Sequence, residues 1–174
     1  VLPFLPFRLI GLASRSGYSD ASNGVRPFDL VFSPLDHIRL EKVLERKPTL
    51  NFVTMGDPNA EAHLVSGIYQ LEEGKYRWMG KQARILLKPS KPTNDVIATI
   101  YIPDSAPARE VTLTLNGTVV QSQIYAKPGL YIIEAKAIAT GLTDALLTIT
   151  CDKSFQSPGD YRELGMILQQ AGLR

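Results

Sequence analysis

The stretch EVTLTLNGTVVQSQI, residues 110–124, decides the fold class. Two alternating runs, EVTLTL and TVVQSQI, flank Asn116-Gly117. A type I′ turn needs positive φ at both central positions, and Asn-Gly tolerates that best. The pair therefore predicts a β-hairpin. Asn116-Gly117-Thr118 also spells a glycosylation sequon, but the turn accounts for it.

Similar runs lie on both sides. TLNFVTM (49–55) alternates, and AHLVSGIYQLE (62–72) carries a glycine that marks a bulge. KYRWM (75–79) and ARILLK (83–88) follow. DVIATIYI (95–102) sets Val96, Ala98, Ile100 and Ile102 on one side, and LYIIEAKA (130–137) and ALLTITC (145–151) complete the series. Many short strands with little helix between them predict an all-β antiparallel sandwich or barrel over residues 49–174, not βαβ units.

Residues 1–48 read as an N-terminal extension. ASRSGYSDASNG (13–24) is loop-like, and SPLDHIRLEKVLERKP (33–48) predicts a short helix over 33–47. Ser33 can cap it, Pro34 suits its first turn, and Asp36 completes a capping box. Ile38 and Leu40 also alternate as in a strand, so both readings stay open. VLPFLPFRLIGL (1–12) is apolar, but it is broken by Pro3, Pro6 and Arg8. It is too short to span a bilayer and lacks the basic start of a signal peptide. Beginning at Val1, the chain reads as a soluble piece of a larger protein.

At 174 residues, 44% hydrophobic and 21% charged, the chain can build a core without staples. A net charge of +2 argues against nucleic acid or an anionic membrane as main partner. The single cysteine, Cys151, ends a strand-like run and reads as a core residue rather than a reactive thiol.

Enzyme signatures fail. GKYRWMGKQ (74–82) has the wrong spacing for a P-loop, and Gln82 stands where a Ser or Thr should bind magnesium. No serine sits in a G-x-S-x-G elbow. The two histidines, His37 and His63, lack metal-ligand spacing. Asp57, Glu72, Glu73, Asp160 and Glu163 have the type needed for a glycosidase pair. Glu72 and Glu73, however, read as solvated members of the turn that ends in Gly74.

IYQLEEGKYRWMG (68–80) gathers the candidate ligand-binding residues Tyr69, Glu72, Tyr76, Arg77 and Trp78 around a turn. Sugars are bound by flat aromatic faces under their C–H patches and by charged or amide groups at their hydroxyls. The alternative makes Trp78 a core residue with Arg77 and Met79 on the opposite face. Large aromatics more often pack than bind, which favours the core. A second polar cluster, Asp160, Arg162 and Glu163, lies in FQSPGDYRELGMIL (155–168). SPGD is a turn, Arg162 is expected to pair with a carboxylate, and Gly165 lets Met166-Ile167-Leu168 enter the sheet as its last strand.

Two stretches together resemble a known domain type. GDPNAEAHLVSGIYQLEEGKYRWMGKQARILL (56–87) is similar to a pattern of Gly-Asp, Leu-x-x-Gly-aromatic, Glu and Arg-Trp. DKSFQSPGDYRELGMIL (152–168) resembles a closing segment of Asp-x-x-Phe, Pro and Asp-x-Arg-Glu-Leu-Gly. The pair resembles jelly-roll domains, galactose-binding-like and carbohydrate-binding-module-like, found outside the membrane on bacterial glycosyltransferase-like and cell-envelope proteins. Leu64, Gly67, Tyr69, Glu72, Arg77, Trp78, Phe155, Asp160, Arg162, Glu163, Leu164 and Gly165 carry the likeness as signature positions. Ile68 stands where a second aromatic belongs.

The resemblance implies an extracytoplasmic setting, a glycan or polysaccharide partner, a neighbouring domain, and no catalytic residue. Domains of this kind often hold a structural calcium, whose backbone ligands would leave no signature in sequence. Three functions stay in view. The leading one is a non-catalytic carbohydrate-binding or accessory domain. The others are a structural module docking on a neighbour, and a small polysaccharide hydrolase or lyase.

Overall fold

A computed structural model describes residues 48–174. The extension and its expected helix at 33–47 lie outside the described residues. Among the described residues nine strands form one continuous antiparallel array: β1 (Phe52–Thr54), β2 (Leu64–Glu72), β3 (Tyr76–Leu87), β4 (Thr93–Ile102), β5 (Arg109–Leu115), β6 (Thr118–Tyr125), β7 (Gly129–Ala139), β8 (Ala145–Cys151) and β9 (Met166–Leu173). A single 3-10 turn, Ala60–His63, precedes β2. The expected all-β antiparallel sandwich is the fold.

The strand order is β6-β5-β8-β3-β9-β4-β7, with β2 added to β3 and β1 to β9. β3 is the junction. One of its edges pairs with β2. Its other edge is shared: Arg77–Met79 pair with β9, and Gln82–Leu87 pair with β8. β9 divides its own edge in the same way, between β3 and β1. The array thus bends into two layers that share these strands, which makes a nearly barrel-like sandwich. The ring of Tyr125 on β6 meets that of Tyr131 on β7 at 4.5 Å, drawing the two ends of the array together.

Alternation explains the core. In β8, Ala145, Leu147, Ile149 and Cys151 point inward, and β5 does the same with Val111, Leu113 and Leu115. Val96, Ala98, Ile100 and Ile102 are buried together, as their spacing requires. Each large aliphatic buried here contributes about 1.5–3 kcal/mol by leaving water. The runs KYRWM and ARILLK, read separately in sequence, are one strand continuing through Gly80.

Turns follow their residues. Asn116 and Gly117 have φ of 50° and 86°, and Leu115 pairs with Thr118, which is the expected two-residue hairpin. Gly67 has φ 74° at a register shift in β2, and a Cβ there would stand 1.7 Å from the Gln82 carbonyl oxygen. The bulge therefore needs glycine for both conformation and space. At Gly165 a Cβ would meet the Gly80 carbonyl oxygen at 2.3 Å, so only glycine lets β9 begin against β3.

Two glycine substitutions separate these causes. Gly117→Ala meets open space and bears only the cost of positive φ, about 1–2 kcal/mol. Gly67→Ala adds a backbone clash, so we expect a loss of about 3 kcal/mol or more in urea unfolding. Equal losses in the two variants would refute the close-approach account.

Candidate functional site

The strand pattern settles where Trp78 points. Met79 is fully buried and pairs with buried Met166, so its neighbour Trp78 faces outward beside Ile167. Tyr76 shares that outward side. Arg77 does not. Its side chain lies on the core side, and the residue is 9% exposed. There it donates to the carbonyls of Met55 and Tyr69 at 3.4 and 3.3 Å and pairs with Glu61 at 2.8 Å. The core reading of Trp78 is thus inverted: Met79 and Arg77 turn inward, and Trp78 stays half-buried on the outside. Arg77 is separated from the other four ligand candidates.

The loop between β8 and β9 comes to meet this outward side. Phe155 and Leu164 exchange backbone hydrogen bonds of 2.8 and 2.9 Å and pinch the loop at its base. Inside it, the Asp160 N–H donates to the Ser157 carbonyl at 3.0 Å, with Gly159 at φ 81°. Pro158 then Gly159 in the central positions is a type II turn. The expected SPGD turn is therefore present.

Arg162 then clamps the loop to the sheet. Its guanidinium donates to both Asp160 oxygens, at 2.7–3.1 Å, and to Glu72 Oε1 at 2.8 Å. It also stacks 5.2 Å from the centre of the Tyr69 ring. The Tyr69 hydroxyl donates to the Glu163 carbonyl at 3.0 Å. Phe155 meets the Trp78 ring edge-on at 6.1 Å. Two stretches ninety residues apart in sequence thereby form one aromatic–ionic patch. Glu72 is not the solvated turn residue its position suggested. It ends β2 and is held by Arg162 because the loop folds over it.

Glu163 stands apart from that ion pair. Its carboxylate accepts from Ser154 Oγ and lies 3.6 Å from Lys81. The Ser154 hydrogen bond, then Lys81, hold it below its ordinary range. The Arg162 side chain, and then the Arg162 N–H, hold Asp160 below the usual carboxylate range. Burial, with the charges of Glu73 and Glu72, pushes the Tyr76 phenol up. A hydrogen bond from that phenol to the Glu73 carboxylate acts in the same direction.

Arg109 supports the patch from beneath, and no motif pointed to it. It is fully buried, donates to the carbonyls of Gly165 and Pro107, and lies 5.6 Å from the Phe155 ring centre. The available signal was its inward phase with Val111, Leu113 and Leu115 in β5. Cys151 is buried as expected. Desolvation pushes its thiol up, partly opposed by Arg109.

Among the described residues no group of three or more His, Cys, Asp or Glu side chains is placed to hold a metal ion. Acidic side chains here do not form a calcium cage, because Asp160 and Glu72 are turned onto Arg162.

No family model matches the sequence, and no curated protein matches it. Solved structures similar to the chain include a carbohydrate-binding module, CBM36, in complex with calcium and xylotriose. It is 10% identical, with 72% of this chain and 100% of that one covered and a TM-score of 0.44. A family 35 carbohydrate binding module from Clostridium thermocellum is 9% identical, with 72% and 98% covered and a TM-score of 0.42. An acetyl xylan esterase from the rumen bacterium Butyrivibrio proteoclasticus is 8% identical, with 72% of this chain but 32% of the esterase covered and a TM-score of 0.46. At these identities and scores no residue role passes from those proteins to this chain.

The clamp has a pH signature. Asp160 is depressed in the folded state, so its contribution is complete above the unfolded carboxylate value, about 3.9, and is lost as pH falls through the lower folded value. Arg162→Met removes the cause. Thermal melts of that variant should show a lower Tm at pH 7 and a shallower decline between about pH 4 and pH 2. An unchanged acid slope would sink the assignment.

Proposed function

We propose that the chain is a non-catalytic carbohydrate-binding module. We place it in a bacterial cell-envelope glycan protein, working outside the cytoplasm beside further domains. The carrying observation is the outward Trp78, flanked by Tyr76 and bordered by Glu72, Asp160 and Arg162. An indole face takes the C–H side of a pyranose, while carboxylate and phenol groups take its hydroxyls. The sequence resemblance at 56–87 and 152–168 supports the envelope setting.

A glycosidase fits the geometry poorly. Asp160 and Glu72 converge on one guanidinium instead of facing each other across a cleft. A general acid needs a raised pKa, and Asp160 is lowered. The docking-module reading is favoured by one feature. Leu130 and Ile132 on β7 are 59% and 68% exposed.

The test is a glycan array followed by titration of the best binder. We expect Kd values between micromolar and millimolar, weakened at least tenfold in Trp78→Ala, with circular dichroism and Tm close to the parent. Loss of fold in Trp78→Ala would mean that the indole is structural. Absence of binding across the array would favour docking instead.

A further inference from the structure

We infer that a polar groove beside the aromatic patch holds a linear chain of neutral sugars; this rests on the carbohydrate-binding reading above. The groove is shallow and open to solvent, with room for about 640 Å³. Its side chains are Thr54, Asp57, Lys75, Gln169 and Gln170, and Gly56 and Gly74 supply bare backbone. Gln169 and Gln170 lie outside every stretch singled out in the sequence, Thr54 stood out there only in a strand-like run, and Asp57 only as part of a Gly-Asp pair and as a carboxylate.

Register places them. Val53 and Ala171 are paired and fully buried, so the adjacent pair Thr54–Gln170 faces outward. Leu168 pairs with Ile100 and Gln170 with Thr99, leaving Gln169 as the extra residue of a bulge. A bulge re-aims side chains, and here both consecutive amides line the groove. The Met55 N–H donates to the Gln169 carbonyl at 2.8 Å and fixes the bulge. A Cβ on Gly56 would stand 2.5 Å from the Gly74 carbonyl oxygen. The two loops bounding the groove therefore touch through glycine.

The side chains of Thr54, Lys75, Gln169 and Gln170 make no hydrogen bond or ion pair among the described residues. Asp57 uses one oxygen, accepting from the Asn59 N–H at 2.7 Å. Donors and acceptors thus converge on one hollow without engaging one another. Each glutamine amide both donates and accepts, which suits sugar hydroxyls. One acid and one base leave the groove without net charge, which favours neutral sugars over uronic acids.

The next row of the same outer surface is apolar. Trp78 pairs with Ile167, Ile167 with Tyr101, and Tyr101 with Leu130, crossing β3, β9, β4 and β7; Ile167 is buried, so Trp78, Tyr101 and Leu130 present the accessible apolar surface of the row. Four strands at about 4.8 Å spacing span about 14 Å. A ligand of that length has C–H faces for the row and hydroxyl edges for the groove. One terminal sugar could not use both.

The experiment is calorimetric titration with xylohexaose, cellohexaose and mannohexaose, with the disaccharide of whichever binds, and with polygalacturonate. The variants are the double substitution Gln169→Ala/Gln170→Ala and, for reference, Trp78→Ala. Neither glutamine side chain has a polar partner to lose, and a thermal melt checks the fold. We expect the hexaose to bind at least tenfold tighter than its disaccharide, and the double variant to lose at least tenfold with Tm unchanged. If the double variant binds as the parent does while Trp78→Ala fails, the groove is wrong and the carbohydrate-binding reading stands. Equal affinity for disaccharide and hexaose, or tighter binding of polygalacturonate, overturns the linear neutral chain. If no glycan binds, the underlying reading falls and the groove with it.

Discussion

One edge of β3 serves two strands, and the rest of the molecule is arranged around that sharing. Gly165 makes it feasible. Its N–H donates to the Met79 carbonyl at 2.7 Å, and its Cα lies so near Gly80 that no side chain fits. β8 must end at Cys151 so that β9 can take over the edge at Met166. The chain between them cannot stay in the sheet, so it is laid over the outward side of β2 and β3. The aromatic–ionic patch is a consequence of this handover: Phe155 reaches Trp78, and Arg162 reaches Glu72, because the loop has nowhere else to go. Arg109, buried under Phe155 and bonded to Gly165, secures the handover from the inner side.

Much of the fold was legible because its signals are local. Asn116-Gly117 fixes a turn by its own dihedral preferences, and Val96 to Ile102 fixes a face by simple alternation. Gly67 could be read as a bulge from its position in an apolar run. The phase of Trp78 was harder. KYRWM alternates acceptably either way, and only pairing with Met166 and Ile167 shows that Met79 holds the core position. The fate of Glu72 was not local at all. Its partner lies ninety residues away, and no composition rule reports such an encounter. The groove was illegible for the same reason, since a bulge at Gln169 depends on register with β4.

The division of labour within the patch follows from counting donors. Surface ion pairs usually contribute less than about 1 kcal/mol, but Arg162 meets Asp160 in a fork and adds Glu72 and the Tyr69 ring. That geometry occupies both sides of the guanidinium and one of its faces. A guanidinium so engaged is poorly placed to exchange partners for a sugar hydroxyl, because each exchange would uncover a carboxylate. Arg162 therefore acts as the clamp that holds Glu72, Asp160 and the loop in register with Trp78. In the proposed function, direct recognition would fall to groups whose hydrogen-bonding capacity is still open: the second oxygen of Glu72 and the unpaired amides of Gln169 and Gln170. The charged cluster that dominates the sequence gives the surface its shape, and the inconspicuous glutamines of β9 give it polar contacts.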